Sequence, residues 1–296
     1  MSADAGLRLL AYNVLQPPLL SWPRALVRAA RAYEVIVAAD PDVVVLCEAF
    51  SGTPAARLVR RLRQAGYHAT PQVGSRRGRS AWTSRSAGRG TRTGGVVGGG
   101  VVVLSRTPIL QQHEHVFAAT QPGTEDDWCD KGVALVQVAH PAGPIWVAGT
   151  HLQADEPGTP VAATREVRQR QLAEIRDAVG AVVPADQPVL VAGDLNVEYY
   201  ATDERGRPAG VGTAWQQADA ALGGRIEPDG PIHDFTFDGA RNPLTGAAYR
   251  SYRNVLDYVG RLDGGRPLPR ISTTTLVSAG DASDHFPVLA EVHRQV

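Results

Sequence analysis

A polar cluster follows an apolar stretch near the middle of the chain. Val189 to Ala192 could form a buried strand, Gly193 interrupts it, and Asp194 and Asn196 follow with one residue between them. An extended chain places those two side chains on the same face, where a carboxylate and a carboxamide could bind a cation or position a phosphate. The same residue types also build turns, so this stretch alone indicates only a strand entering a turn.

Polar residues of this kind end several other apolar stretches. Each has an ordinary structural explanation, such as capping a turn, facing solvent or making a buried hydrogen bond. Because a buried charge costs free energy unless it is paired or bound to a metal, the repetition predicts one shared site. Oxygen ligands without a cysteine partner suit Mg²⁺ or another hard divalent cation better than a structural zinc. The residues concerned are Asn13, Glu48, His151, Asp194, Asn196, Asp257, Asp284 and His285.

The elements that must position these residues are short strands alternating with helices. The sequence predicts strands at 7–14, 42–50, 99–106, 132–139, 145–152, 188–196, 254–262, 271–277 and 286–293. It predicts helices at 23–39, 54–65, 161–180 and 215–222. The stretch 74–98 is rich in glycine, serine and arginine and is predicted to be a long loop. Since the strands on both sides of it have the same character, we predict an α/β fold with a single domain over 1–296.

The composition is that of a globular protein without a strong overall field. Of the 296 residues 43% are hydrophobic and 20% charged, and the formal net charge is zero. Neutrality argues against nucleic acid as a partner, because duplex binding normally needs a basic face. The two cysteines, Cys47 and Cys129, cannot form a disulfide framework or a structural zinc site, and whether they pair stays open.

The N-terminus, MSADAGLRLL, has no basic stretch followed by a long apolar one, as a signal peptide would have. No apolar stretch is long enough to span a membrane. A mature secreted chain would look the same, so the N-terminus leaves the location open. We predict a secreted protein, with a cytoplasmic location as the alternative.

The polar residues and their surrounding motifs resemble the endonuclease/exonuclease/phosphatase superfamily, which has the DNase I-like fold. Within it, the sequence is most similar to bacterial neutral sphingomyelinases of the phospholipase C type. GDLN and SDH alone are typical of the whole superfamily, whereas THLQA with a following acidic pair and the KG turn are more specific to this branch. The motifs are CEAF (47–50), GGVVVLSRTPI (99–109), DKGVA (130–134), GTHLQADE (149–156), VRQRQLAEI (167–175), GDLNV (193–197) and LDYV (256–259).

The resemblance implies a four-layer α/β/β/α sandwich and a Mg²⁺-dependent phosphodiesterase, with Mn²⁺ or Co²⁺ as other possible ions. It implies that Glu48, with Asn13 close by, binds the metal. Lys131 is predicted to bind substrate, because a chain that otherwise uses arginine keeps an ammonium group there. The alternative is that this lysine occurs by chance.

The resemblance also implies catalytic roles for six residues. Phosphodiester hydrolysis needs an activated water and an acid for the leaving group, and histidine can serve either purpose near neutral pH. Our hypothesis makes His285 the base, oriented by Asp257, while His151 stabilises the phosphoryl group or the leaving oxygen. Asp194 and Asn196 position water and phosphate, and Asp194 is an alternative base. Asp284 lies beside the site.

The function implied is hydrolysis of sphingomyelin, or a related phospholipid, to ceramide or diacylglycerol and a phosphorylated headgroup. We also predict a phospholipid substrate, transient contact with a membrane surface and a monomeric state. The alternatives are a DNase I-like nuclease and a soluble phosphodiesterase of lysolipids or headgroup esters. A catalytically inactive lipid-binding module is disfavoured, because all the polar groups are retained.

The sequence departs from the sphingomyelinase pattern at two places. Gly98 stands where that branch has an acidic residue, so the support of one catalytic histidine is predicted to be absent or to come from another residue. The stretch 260–282 lacks the Trp and Phe of the membrane-entering hairpin. The loop 74–98, with Trp82 and its arginines, could replace this hairpin in membrane contact, and its binding to membranes would then rise with the content of anionic lipid. The alternative is that 74–98 is a solvated flexible loop without such a role. The arginines around Trp82 are Arg76, Arg77, Arg79, Arg85, Arg89 and Arg92.

Overall fold

The computed structural model describes residues 6–16, 22–50, 52–88, 97–141, 143–230, 232, 234–263, 265–266 and 269–293. Its helices are α1 (Trp22–Ala39), α2 (Ala55–Gln64), α3 (Val161–Val182) and α4 (Ala214–Leu222). Short 3₁₀ turns lie at Arg79–Ala81, Glu125–Trp128, Pro243–Thr245, Ala247–Tyr249 and Val277–Ala282. None of the described helices is both long enough and apolar enough to cross a membrane.

The strands of the described residues alternate with these helices. In chain order they are β1 (Leu7–Gln16), β2 (Val43–Ala49), β3 (His68–Ala69), β4 (Ser84–Ala87), β5 (Val97–Gly98), β6 (Val102–Ser105), β7 (Ile109–Val116), β8 (Cys129–Asp130), β9 (Gly132–Val138), β10 (Ile145–His151), β11 (Val189–Asp194), β12 (Tyr200–Thr202), β13 (Pro208–Val211), β14 (Gly224–Arg225), β15 (Phe237–Asp238), β16 (Arg253–Asn254), β17 (Asp257–Leu262), β18 (Arg270–Thr275) and β19 (Val288–His293).

Two large mixed sheets form the centre of the fold. The first sheet has the order β18-β19-β1-β2-β6-β3, and the second has the order β14-β17-β11-β10-β9-β7-β4. Apolar side chains from the facing surfaces, such as Val45, Val103 and Val147, form a core between the sheets. A second core lies under α1 and α2, and a third under α3 and α4. The predicted four-layer α/β/β/α sandwich is therefore confirmed.

The strand register brings the polar strand ends to one edge of the sandwich. In the parallel pair β10–β11, His151 lies opposite Asp194, and in the antiparallel pair β11–β17, Asp194 lies opposite Asp257. In the parallel pair β1–β2, Asn13 lies opposite Cys47, the residue before Glu48. We call this edge, where β1, β2, β10 and β11 end, the site edge. The fold thus gathers residues that are far apart in sequence.

The predicted secondary structure agrees with the main elements of the fold, but it misses β7 and the short strands β3, β4, β5, β8, β12, β13, β14 and β15. All nine predicted strands and all four predicted helices are present, with ends that differ by a few residues. The long-loop prediction for 74–98 is wrong at Ser84–Ala87, which form β4 and pair in parallel with β7, and at Val97–Gly98, which form β5 and pair in parallel with β8. Strand β7, ILQQHEHV, was not predicted, because its polar side chains hide the alternation expected of a half-buried strand. The part of this stretch from 89 to 96 lies outside the described residues.

Trp82 does not occupy the position proposed for it from the sequence. It is only 6% exposed and packs in the core between the sheets with Val73 and Val101. An indole in that position cannot enter a membrane, so the prediction of a Trp82 membrane contact is wrong. The arginines Arg76, Arg77 and Arg79 are exposed, Arg85 makes an ion pair with the buried Glu114, and Arg89 and Arg92 lie outside the described residues.

Gly193 is the residue that the turn into the site requires. Its φ is +140°, and a Cβ there would lie 1.9 Å from the Thr150 carbonyl oxygen. We expect Gly193→Ala to lower the free energy of unfolding by about 3 kcal/mol or more, from backbone strain and overlap together. Chemical denaturation would measure this. The matched control is Gly180→Ala, which has nothing within 4 Å in α3 and should stabilise the fold by about 0.5–1 kcal/mol. Equal effects at the two positions would contradict the prediction.

Candidate functional site

Asp194 lies at the centre of the site edge, between two imidazole rings. Its Oδ2 atom is 3.6 Å from His151 Nε2 and 3.8 Å from His285 Nε2. The same oxygen accepts a hydrogen bond of 3.0 Å from the Asn13 carboxamide. All four side chains are buried or nearly so. Residues from β1, β10, β11 and the segment just before β19 therefore converge on one carboxylate oxygen.

His285 is held in place by a buried carboxylate. Its Nδ1 atom is 2.8 Å from Asp257 Oδ2, which leaves Nε2 directed toward Asp194. The Phe237 ring packs against the imidazole with a centroid distance of 5.1 Å. Thr236 fixes Asp257 in turn, because its hydroxyl accepts the backbone N–H of that residue at 3.1 Å. This is the arrangement in which a carboxylate orients a catalytic imidazole.

The two histidines experience opposite electrostatic environments. Burial opposes protonation of His285, but the charges of Asp257 and Asp194 outweigh it and raise the pKa of His285 well above its usual value. Burial lowers the pKa of His151 well below the usual value, and the nearby charges of Lys131 and His285 lower it further. The site therefore contains one strongly basic imidazole and one that stays neutral.

Glu48 and Asp194 form the acidic part of the site. The Asn13 carboxamide lies between them and donates to Glu48 Oε1 at 2.9 Å. Burial, followed by the charge of Asp284, raises the pKa of Glu48 to about 7. Burial, followed by the charge of Asp257, raises the pKa of Asp194 to about 6. Several carboxylates in one buried place favour a bound cation, because a cation would offset their mutual repulsion.

Two groups of residues could take part in holding a metal ion. Asp194, Asp257 and His285 offer ligand atoms within 4.8 Å of one another. Glu48 and Asn13 offer oxygen atoms beside them, as predicted from the sequence. Because Glu48 and Asn13 offer only oxygen ligands, whereas the other group includes an imidazole nitrogen, Glu48 with Asn13 fits a hard divalent cation better. The oxygen-rich donors and raised carboxyl pKa values thus fit the predicted Mg²⁺.

Left-handed backbone is concentrated at this edge. Among the described residues other than glycine, four have a positive φ, and three of them border the site: Leu15, Glu48 and Asn196. Asn196 has φ 50°, and its backbone N–H donates to Asp194 Oδ1 at 3.0 Å. Its side-chain amide donates to the Leu152 carbonyl at 3.2 Å. Strained conformations that persist at one place are typical of functional sites.

Lys131 lies just behind the site. It is 5% exposed, and its Nζ atom lies 2.7 Å from both Asp126 Oδ2 and the Leu152 carbonyl oxygen. Asp126 also accepts the backbone N–H of Ala154 at 2.7 Å, so the pair fixes the backbone that follows His151. A role for Lys131 in substrate binding stays a prediction. Asp126 was not identified from the sequence, where nothing distinguished it from the acidic residues around it.

Asp284 lies on the Glu48 side of the site. It is half-buried, accepts a hydrogen bond of 3.2 Å from the Ser283 hydroxyl, and acts on Glu48 through its charge. The structure thus brings all the predicted catalytic and metal-binding residues to one edge. Phe237, Thr236 and Asp126 join them without having been predicted.

Cys47 joins the two sheets beneath Asp194. Its thiol donates to the Thr150 carbonyl oxygen at 3.2 Å and accepts the Asp194 backbone N–H at 3.3 Å. Both Cys47 and Cys129 are free thiols, which answers the question that the sequence left open. Burial raises the pKa of Cys47 well above the usual value, so this thiol serves packing and hydrogen bonding rather than nucleophilic chemistry.

His151 lacks the support that His285 has. Its Nδ1 atom is buried and has no hydrogen-bond partner among the described residues. Of the two alternatives drawn from Gly98, support that is absent or support from another residue, this observation favours the first for His151.

Comparisons with known proteins agree with this geometry. The model of the Endonuclease/Exonuclease/phosphatase family matches residues 10–285. A sphingomyelinase C from Listeria ivanovii is 34% identical over 164 residues, which are 55% of this chain and 47% of that protein. The chain thus spans about half the length of that curated relative.

Solved structures resemble the chain over almost its whole length. A sphingomyelinase C from Streptomyces griseocarneus has a TM-score of 0.75 at 29% identity, over 97% of this chain and 99% of that one. A beta toxin from Staphylococcus aureus, determined with bound magnesium ions, has a TM-score of 0.81 at 23% identity over the same shares. The second likeness concerns the fold, which is DNase I-like as predicted.

Proposed function

The chain belongs to the endonuclease/exonuclease/phosphatase family, and on that premise we propose that it is a metal-dependent phosphodiesterase of the phospholipase C type. The observation that supports this most is the position of Asp194, within 4 Å of two imidazoles in opposite electrostatic environments and beside Glu48. Paired proton-transfer groups next to a cation site are what phosphodiester hydrolysis requires.

The residues divide the work as follows. His285, oriented by Asp257, acts from its unprotonated form: it takes the proton of the attacking water at Nε2, and Asp257 stabilises the imidazolium that forms. His151 hydrogen-bonds the phosphoryl group or the leaving oxygen. The departing alkoxide takes a proton from solvent water, and His285 releases to solvent the proton that it accepted. Asn196 positions the phosphate together with Asp194. A bound Mg²⁺, held by Glu48 and Asn13, would offset charge on the phosphoryl oxygens.

The substrate class proposed is sphingomyelin or a related phospholipid, cleaved to ceramide or diacylglycerol and a phosphorylated headgroup. Relatives named sphingomyelinase C support it, at 34% identity for the Listeria ivanovii protein and 29% for the Streptomyces griseocarneus structure. Magnesium is supported by the Staphylococcus aureus structure and by the oxygen donors described above. Transient contact with membranes, a monomeric state, one catalytic domain and secretion stay predictions.

A hydrolysis panel tests the proposed function. Sphingomyelin, phosphatidylcholine, a lysophospholipid and plasmid DNA are offered in detergent with Mg²⁺, Mn²⁺, Co²⁺ or EDTA. We expect phosphorylated headgroup from sphingomyelin in Mg²⁺, none in EDTA, and intact DNA, because a formal net charge of zero disfavours binding to a duplex. The His285→Ala protein, purified in parallel, controls for contaminating enzymes. Nicked plasmid with intact lipid would favour a nuclease, and cleavage of lysolipid alone would favour the soluble phosphodiesterase.

A further inference from the structure

Exposed apolar side chains are concentrated at the site edge. The described residues include eight exposed large hydrophobic side chains. Val37 in the second half of α1 and Leu110 near the start of β7 lie far from the site edge. Val27 lies in the first half of α1, next to Arg28, whose side chain donates to the Leu15 carbonyl oxygen. The other five lie on connections at the site edge: Trp128, Val161, Val211, Tyr249 and Val277. We call these five the apolar rim.

The register of the strands places each rim segment. Trp128 precedes β9, whose second residue, Val133, pairs with Thr150 beside His151. Tyr249 belongs to the connection before β17, which starts at Asp257. Both connections therefore end where the candidate catalytic residues lie.

The remaining three rim residues also lie on segments that adjoin strand ends at the site edge. Val161 begins α3, which the chain reaches from the end of β10. Val211 ends β13 and pairs with Tyr200 in a hairpin that follows β11. Val277 lies between β18 and β19, where Thr275 pairs with Val288 at the site edge.

The two aromatic members are connected to different histidines of the site, Trp128 to the side of His151 and Tyr249 to the side of His285. Trp128 is 59% exposed, and Asp126 in the same 3₁₀ turn contacts the backbone after His151. Tyr249 is 40% exposed, and its ring packs on Phe237, which contacts His285. Tryptophan and tyrosine, with an apolar body and a polar group, favour the boundary between water and lipid.

The charges beside Trp128 are mixed. The arginine-bearing segment starts at Gly74, where a Cβ would lie 2.3 Å from the Asp130 carbonyl oxygen. Arg76 and Arg77, two and three residues further on, are exposed, as is Glu125. With Asp127 and Asp130 half-buried nearby, neither sign of charge dominates. Such a surface fits a partner without net charge.

We propose that the apolar rim docks the enzyme onto a zwitterionic phospholipid surface, with the site facing the headgroups. The proposal rests on the proposed function, because the scissile bond of a bilayer lipid lies in the headgroup layer and the site edge must reach it. Shallow insertion of five apolar side chains around a polar centre gives reversible binding with little dependence on salt.

Vesicle flotation with phosphatidylcholine tests the docking surface. We compare the wild type with Trp128→Asp, Val211→Asp and the control Leu110→Asp, an exposed apolar residue away from the rim. Each rim variant should reduce the bound fraction roughly tenfold or more, since it removes inserted apolar area and adds a charge. Leu110→Asp should bind like the wild type, and added anionic lipid or salt should change wild-type binding little.

Three results would overturn the docking proposal. The first is that the wild type does not bind the vesicles, and the second is that all four proteins bind equally. The third is that the wild type is a dimer that Trp128→Asp dissociates, which would make the rim a contact between copies of the chain. Hydrolysis of a water-soluble phosphodiester by the same wild-type preparation separates the two proposals. Hydrolysis without vesicle binding rejects the docking surface alone, whereas vesicle binding without any phosphodiester hydrolysis rejects the proposed function.

Discussion

Glu48→Gln is expected to lower metal-dependent turnover by about a hundredfold or more, while the fold stays intact. Glutamine keeps the size of the side chain and its hydrogen bond with Asn13, but it removes the negative charge that would hold the cation. Asn13, the other proposed ligand, is a neutral amide and cannot replace that charge. The effect should therefore appear as lost activity even at saturating Mg²⁺.

Although Glu48→Gln should lower activity, we expect it to preserve or raise the stability of the metal-free protein. The Glu48 pKa of about 7 in the fold lies above the roughly 4.3 of an unfolded glutamate, so its ionisation destabilises the metal-free protein as pH rises through 7. At pH 8 in EDTA, Glu48→Gln should unfold at the same temperature as the wild type or a higher one. Below about pH 4 the Glu48 carboxyl is neutral in both states and the difference should vanish.

Turnover of soluble substrate against Mg²⁺ concentration, together with thermal unfolding in EDTA, measures both effects. Glu291→Gln is the matched control, because that glutamate is exposed on β19 and should change neither quantity. Near-wild-type turnover of Glu48→Gln at saturating Mg²⁺ would show that the metal assignment is wrong.

The parts of the fold and of the site that show as local patterns of apolar and polar residues could be predicted from the sequence. Apolar stretches ending in Asn13, Glu48, His151 or Asp194 indicated both buried strands and the edge at which they end. Parallel pairing of neighbouring strands then brings their carboxyl ends together, as the pair His151 and Asp194 illustrates. The ends of the strands follow from these local patterns, whereas the sandwich and the roles of the residues were predicted from the resemblance of the motifs to the superfamily.

Features that depend on long-range packing could not be predicted in this way. Trp82 follows a run of arginines and reads as part of a solvated loop, yet a gap between the sheets buries it. Asp126 is one of three consecutive acidic residues, and only the fold places its carboxylate against Lys131. Tertiary contacts determine the positions of both side chains, and the local periodicity of the sequence does not reveal such contacts.

His285→Ala is expected to reduce kcat by a factor of about a hundred to ten thousand, the range that general acid–base catalysis supplies. His151→Ala should be nearly as inactive, because its Nε2 atom faces the same Asp194 oxygen. Steady-state rates on soluble substrate measure these losses. His68→Ala is the control, since this histidine is exposed on β3, away from the site edge, and should retain the wild-type rate. Retained activity in His285→Ala would rule out its role as the base.

Asp257→Asn separates an orienting role from a merely structural one. The amide keeps the shape of the side chain but removes the charge that raises the pKa of His285. A base must be unprotonated, so the acidic limb of the pH–rate profile lies at the pKa of His285 and should move to lower pH in the variant. The maximal rate should fall at the same time, because the imidazolium formed on proton transfer loses its stabilising carboxylate.

The affinity for Mg²⁺ should be spared in Asp257→Asn, because Glu48 and Asn13 carry the proposed metal site. Isothermal titration with Mg²⁺ and rates measured across pH distinguish the two effects. A lower rate with an unmoved acidic limb would reduce Asp257 to a packing residue, and lost Mg²⁺ binding would instead place it among the ligands, with Asp194 and His285. A shifted limb with intact Mg²⁺ binding is the result expected if the hydrogen bond of 2.8 Å between Asp257 and His285 sets the basicity of the catalytic imidazole.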